Sequence, residues 1–246
     1  MDNVIRQTLE QGKPSVGTWL NLGSPLVAET LAVAGFSWLC IDAEHTAYDL
    51  GEIAHCLRAI EARGALPLVR AWDHEPTTIG RLLDAGARGI VFPHVSTPEQ
   101  AEAIASAMRY PPRGSRSVGT GRCSLLDPNY RQLANDDVLC IPQIEDLEGI
   151  GNAEAIAAID GVDIGFLGPG DLAMSMGVEA GSEPHEAALQ AFRQGCERAG
   201  TPSGIPTADG PTTTRRIQEG FLFIDLTNDM RLLQEGARVA LSQIDA

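Results

Sequence analysis

The feature that most constrains this chain is a repeated pattern. A short apolar run followed by an amphipathic segment recurs eight times. The first unit is "SVGTWLNL" with "SPLVAETLAVAG", the second "FSWLCIDAE" with "DLGEIAHCLRAIEARG", and the third "ALPLVRAW" with "EPTTIGRLLDAGA". "RGIVFPHV" leads "TPEQAEAIASAMRY" and, after a long interruption, "VLCIPQIE" leads "LEGIGNAEAIAAIDG". "VDIGFLGP", "TPSGIPTA" and "FLFIDLTN" then lead the last three helical segments. In the second unit Leu50, Ile53, Ala54, Leu57 and Ile60 share one helical face. The strand before it is almost continuously apolar, as expected of a parallel strand covered by helices. Eight such units without a flexible linker predict one (β/α)8 TIM barrel over residues 1–246. An open doubly wound sheet would need a GxGxxG turn after the first strand, and "LNLGSPLV" has none.

Composition narrows the function. With 43% hydrophobic residues in 246, the chain can bury a large core. A formal net charge of −15 argues against nucleic acid and anionic membrane as partners. No apolar run approaches the ~20 residues of a membrane span. "MDNVIRQTLEQGKP" lacks the basic and apolar regions of a signal peptide. Cys40, Cys56, Cys123, Cys140 and Cys196 are scattered and form no CxxC, which favours reduced thiols and a cytoplasmic location.

In a barrel, chemistry gathers at the C-terminal ends of the strands. The residues expected there are Asp42, Glu44 and His45 after strand two, Arg70 after strand three and His94 after strand four. Gln143 and Glu145 follow from strand five, Asp171 from strand six, Thr207 and Asp209 from strand seven, and Asn228 from strand eight. Gln143 and Glu145 are two apart and so share the face that points into the barrel. A carboxylate there must be paired or bound to a cation. Two readings are open: Glu145 and Asp171 hold a divalent ion, or Glu145 bridges to Arg70. Gly168 and Gly170 flank Pro169 and could bring backbone N–H groups close to a carboxylate or phosphate. Arg70 could steady a developing negative charge, or only pair with Asp42 or Glu44. His45 suits proton transfer near neutrality. His55, His74 and His185 read as ordinary, and His94 is open to either reading. The 109–137 interruption is predicted to form an active-site lid or a subunit contact. Its arginines, Arg109, Arg113, Arg116, Arg122 and Arg131, either face an anionic ligand or lie on a solvated loop.

The basic residues carry a mechanistic clue. Of 18, only Lys13 is a lysine, and it lies ahead of the first strand. Chemistry that stabilises a carbanion beside a carbonyl needs a lysine Schiff base or a Lewis-acid metal. For a chain that performs such chemistry, the lysine count favours a metal over a Schiff base.

Together "GTWLNLGSP", "GFSWLCIDAEHTAYDL", "PLVRAW", "LLDAGARGIVFPHVSTPEQAEA", "RYPPRGSRSVG", "IPQIEDLEGIGN" and "FLGPGDLAMSMG" resemble the HpcH/HpaI aldolase family. The match runs in order over nearly the whole chain. The resemblance implies a TIM barrel of the phosphoenolpyruvate/pyruvate-binding type. It also implies a metal-dependent class II aldolase, a carbon–carbon lyase that reversibly cleaves 4-hydroxy-2-oxo acids to pyruvate, or an analogue, and an aldehyde. By motif position it implies Glu145 and Asp171 as ligands of Mg2+, Mn2+ or Co2+, and Gln143 at the pyruvyl group or a metal-bound water. Arg70 would stabilise the enolate oxygen, His45 would serve as acid/base, and Asp42 would orient the site. Gly168, Pro169 and Gly170 would cradle the carboxylate, with Trp19 lining the pocket. The family pairs its histidine with an aspartate, which here is Asp84; that residue could reach His45 only from a neighbouring subunit. A homo-hexamer, a trimer of dimers exchanging the last helix, is implied as well. "GTGRCSLLDPNY" and "IPTADGPTTT" depart from the family pattern and leave the aldehyde partner open. The alternatives are a CoA-thioester lyase of the citryl- or malyl-CoA type and a non-catalytic barrel that binds oxo acids.

Overall fold

A computed structural model describes residues 3–244; positions 1, 2, 245 and 246 of the predicted domain lie outside the described residues. Eight parallel strands close into a barrel in sequence order: β1 (Ser15–Leu20), β2 (Trp38–Asp42), β3 (Leu66–Arg70), β4 (Gly89–Phe92), β5 (Leu139–Ile144), β6 (Gly165–Leu167), β7 (Ser203–Thr207) and β8 (Phe223–Asn228). The predicted TIM barrel is therefore the observed fold. Ahead of it lies α1 (Val4–Glu10), and α2 (Pro25–Ala34), α3 (Leu50–Glu61), α4 (Pro76–Ala85) and α5 (Pro98–Met108) follow the first four strands. The second half adds α6 (Tyr130–Asp137), α7 (Leu147–Ala157), α8 (Pro169–Met176), α9 (Glu183–Ala199), α10 (Gly210–Glu219) and α11 (Asp229–Ser242).

Local sequence explains these boundaries. Asp49 and Glu52 close a capping box at the start of α3, and Thr97 with Gln100 does the same for α5. Glycines in the left-handed conformation end α2, α4, α8, α9 and α10. The outward strand faces pack with the helices in one large apolar cluster. The inward faces form a second cluster that fills the barrel with Trp19, Trp38, Phe166, Phe223 and aliphatic residues. Trp38 and Phe223 stack with centroids 4.3 Å apart. Gly17 makes this possible, because a Cβ there would lie 2.0 Å from the Trp38 ring.

The base of the barrel, at the N-terminal ends of the strands, is tied by charge. Arg88 donates two hydrogen bonds to Asp137, at 2.5 and 2.6 Å. Asp163 accepts from Arg6 and Arg109, and Asn3 donates to the Asp137 carbonyl. The 109–137 segment lies at this end, between the close of α5 and the start of β5, so it is no lid over its own barrel's mouth. Among the described residues each of its arginines already has a partner. Arg109 pairs with Asp163, Arg113 with Asp136, Arg116 with Asp84 and Arg122 with Glu61, while Arg131 donates to the Gly119 carbonyl. The segment also forms a 3-10 turn at Arg122–Leu125 and α6, neither of which its polar sequence announced.

Candidate active site

The mouth is organised around Asp42, the last residue of β2. Its neighbour in register is Arg70, the last residue of β3. Arg70 donates through Nε to Asp42 Oδ1 (2.9 Å) and through Nη2 to Oδ2 (2.7 Å). Its remaining nitrogen lies 3.0 Å from Glu44 Oε2, and its guanidinium stacks 4.3 Å above the Trp19 ring. A guanidinium fixed on three sides cannot swing away, which suits it to meet charge at one place. Asp42 also accepts from Asn21 Nδ2 (2.9 Å) and from the backbone N–H groups of Glu44 (3.2 Å) and His45 (3.3 Å). It folds the loop after β2 as well as holding the arginine. The reading of Arg70 as partner of Asp42 and Glu44 is therefore realised, and the reading of Glu145 bridged to Arg70 is not.

Glu145 follows β5 and is only 4% exposed. Its Oε2 accepts from Gln143 Nε2 (2.7 Å), as the shared strand face predicts. Its Oε1 accepts the backbone N–H of His94 (2.7 Å) and lies 3.0 Å from the His94 ring Nδ1. His94 achieves this double contact in the left-handed region, at φ 55°, where non-glycine residues are uncommon. The other ring nitrogen of His94 lies 3.2 Å from Glu44 Oε1, so one imidazole links two acids. Burial raises the Glu145 carboxyl above its ordinary value; the His94 and Gln143 hydrogen bonds oppose the rise, and the nearby Asp171 carboxylate adds to it.

Residues 168–171 run from β6 into the first turn of α8. A Cβ on Gly168 would lie 2.4 Å from Glu145 Oε2 and 3.0 Å from Gln143 Nε2, so only glycine lets this backbone lie against the acid. At Gly170 the space is open. The turn is pinned from behind by His185, whose Nε2 donates to the Pro169 carbonyl (2.8 Å) while Nδ1 accepts from Gly181 N–H (3.0 Å).

The donor set fits a hard cation. Glu145 is a buried carboxylate repelled by a second one at Asp171, and Gln143 Oε1 beside them is buried without a hydrogen-bond partner. Among the described residues no group of three or more His, Cys, Asp or Glu is arranged to hold a metal ion by itself, so a metal on Glu145 and Asp171 would take its other ligands from water or substrate oxygens. Lys13 is exposed before β1 and bonds to Gln11 Oε1 (2.9 Å). No lysine stands at the mouth.

The remaining predicted residues separate. Trp19, Asp42, Arg70 and Gln143 line one cavity of about 210 Å³. His45 lies outside that lining, its side chain 63% exposed and its Nε2 3.6 Å from Glu44 Oε2. Asp84 closes α4 at the base and holds Arg116 and Cys123, so one chain does not bring it to His45. Asp209 caps α10, and Thr207 bonds to Thr213. His94, left open by the sequence, belongs to the mouth, as do Asn21 and Asp225, which were not singled out. Asp225 was detectable: it is two residues from Phe223 in β8, the same alternation that pairs Gln143 with Glu145. Nothing in the sequence signalled the strained turn that aims His94.

With this geometry in place, comparison with known proteins is informative. Residues 15–235 match the HpcH/HpaI aldolase/citrate lyase family model. A hydroxypyruvate/pyruvate aldolase of Rhizorhabdus wittichii is 36% identical over 99% of both chains. A 4-hydroxy-2-oxo-heptane-1,7-dioate aldolase of Salmonella paratyphi C is 37% identical over 96% of this chain and 92% of its own. The crystal structure of a family protein from Burkholderia cenocepacia superposes with a TM-score of 0.94 at 36% identity, covering 98% of this chain and 99% of that one. The chain belongs to the HpcH/HpaI aldolase/citrate lyase family.

Proposed function

We propose that the chain is a divalent-metal-dependent aldolase that reversibly splits a 4-hydroxy-2-oxo acid into pyruvate, or a close analogue, and an aldehyde. The observation that carries this reading is the buried Glu145, set against Asp171 and the open Gln143 oxygen in a mouth that contains no lysine. Glu145 and Asp171 would hold Mg2+, Mn2+ or Co2+, which supplies Lewis-acid polarisation of the keto group when bound.

The chain's own residues do the rest. The Gly168–Pro169–Gly170 turn receives the substrate carboxylate through the Gly170 N–H in the first turn of α8, since Pro169 has no N–H and that of Gly168 donates to the Ile144 carbonyl (2.9 Å). Arg70, locked by Asp42 and backed by Trp19, faces the oxygen on which charge grows as the C3–C4 bond breaks. His45 takes the 4-hydroxyl proton, and in reverse returns it. Asp84 from a neighbouring subunit would orient that imidazole, because Asp84 lies at the end of α4 at the base and does not reach His45 of its own chain. The assembly that allows this is a homo-hexamer exchanging α11. The exposed Leu233, Val239 and Leu241 give that helix an apolar surface to bury on a neighbour.

No relative considered above carries a CoA-thioester lyase name, and nothing at the mouth favours that alternative. Among the described residues no helix is long and apolar enough to cross a membrane, and all five cysteines are free and buried, in keeping with a reducing compartment.

The test is cleavage of a 4-hydroxy-2-oxo acid followed by pyruvate release. Chelator should abolish it and Mg2+, Mn2+ or Co2+ restore it, while borohydride with pyruvate should leave no adduct on Lys13. His45→Ala should bind metal but lose turnover by on the order of 10²–10⁴-fold. Full activity in chelator would refute the reading.

A further inference from the structure

One buried carboxylate oxygen of the mouth has no hydrogen-bond partner. Asp225 lies on the inward face of β8, in register with Gly17 of β1 and Pro206 of β7. It is 6% exposed, and its Oδ1 is buried without a hydrogen bond. A carboxyl in that state carries an unmet desolvation cost unless something in the cavity meets it. The surrounding wall does not. Phe166 and Pro206 offer no donor, Trp19 Nε1 is itself buried without a hydrogen bond, and Arg70 directs its hydrogen bonds to Asp42.

The strand is also shaped at this point. Gly17 aligns with Asp225 but Trp19 aligns with Asn228, so β8 carries one extra residue just beyond Asp225. Thr227, within that bulge, sits at φ 58°, a strained value for a β-branched residue. The bulge turns Thr227 and Asn228 into the same cavity wall as Asp225. Strain and an open buried acid meet at one spot, where a side chain is being aimed.

We propose that Asp225 is a specificity-determining residue that hydrogen-bonds a hydroxyl on the third carbon of the donor oxo acid, so that this enzyme takes a 3-hydroxylated donor such as hydroxypyruvate in preference to pyruvate. The proposal rests on the aldolase reading above. Gln143 and Arg70 wall the same 210 Å³ cavity as Asp225, so the proposal sets the last carbon of a three-carbon acid held by them in the space beside Asp225. A hydroxyl there satisfies the buried acid. A methyl leaves it unpaired, and sites built around a hydroxyl discriminate strongly against analogues that lack it.

Two measurements on the full Mg2+-loaded chain decide this. The first is kcat/KM for hydroxypyruvate and for pyruvate with one fixed aldehyde, propanal. The second is calorimetric binding of each donor alone. The wild type should favour hydroxypyruvate by about tenfold or more in both, Asp225→Ala should lower that ratio about tenfold, and Asp225→Asn should keep most of it. A ratio unchanged in a folded Asp225→Ala protein, as when a water meets the carboxyl, overturns the proposal. If the alanine variant does not fold, wild-type binding of pyruvate as tight as hydroxypyruvate overturns it equally. Failure of the aldolase reading looks different: neither donor gives product, while the binding ratio still reports on Asp225.

Discussion

Two buried arginine–aspartate pairs sit at opposite ends of this barrel and do different things. At the base Arg88 grips Asp137 with two short hydrogen bonds, and the neighbouring acid, Asp163, is engaged on both oxygens. At the mouth Arg70 grips Asp42 in the same two-point fashion, but its surroundings are left open. Gln143 Oε1 and Asp225 Oδ1 are buried without hydrogen bonds, and Asp171 is exposed. The pairs share their chemistry and differ in which groups remain unmet beside them. At the base they include the Nε atoms of Arg6 and Arg109, whose guanidinium groups are already anchored on Asp163. At the mouth they include oxygens lining a cavity that a ligand can reach.

Mutations at the two ends should therefore separate activity from stability. The largest effect is expected from Glu145→Ala. Metal affinity should be lost in a calorimetric titration, and kcat/KM should fall by on the order of 10³-fold or more, with a transition midpoint near that of the metal-free wild type. Arg88→Ala should do the reverse. Breaking a buried pair costs about 3–5 kcal/mol, visible as a lower denaturation midpoint, while kcat per folded enzyme stays near wild type. Arg70→Lys keeps the charge at the mouth but loses the two-point fork on Asp42. A loss of about 10²-fold in kcat/KM is expected, with a smaller loss of stability than in Arg88→Ala. If Arg88→Ala lowered kcat as much as Arg70→Lys, the distinction between the ends would collapse.

The smallest effect concerns pH. Burial pushes the Asp225 carboxyl well above the ordinary carboxylate range, with Arg70 opposing and Asp42 reinforcing the rise; Cys40 packs beside them. The folded protein therefore holds a proton that the unfolded chain releases once pH passes the ordinary range. Stability conferred by that proton is greatest at acid pH and declines as pH rises towards the elevated value. Thermal midpoints measured across that range in chelator should fall with pH, and Asp225→Asn should flatten the slope. An identical slope in the variant would show that Asp225 ionises normally.

Much of this was legible before the structure, and the reason is geometric. A parallel strand covered by helices must be apolar throughout, so a change to ionisable residues marks where it reaches the mouth. That logic located Asp42, Arg70, Gln143, Glu145 and Asp171. It failed where position depends on backbone turns. The His94 contact with Glu145 comes from one left-handed residue, and the Asp225 subsite from one extra residue in β8. It also failed for 109–137, because length and arginine content do not say at which end of a barrel a connection lies. The ion pairs of that segment with Asp84, Glu61 and Asp163 exist only in three dimensions.

The central claim, that the mouth stabilises a carbanion beside a carbonyl with a bound cation and no lysine, has a direct test. Pyruvate is incubated with the enzyme in D2O and its methyl protons are followed by NMR, with Mg2+ and then with excess chelator. The account predicts loss of the methyl signal with Mg2+, arrested by chelator and restored by returning the ion. Exchange that continues in chelator, or none with Mg2+, Mn2+ or Co2+, would contradict it.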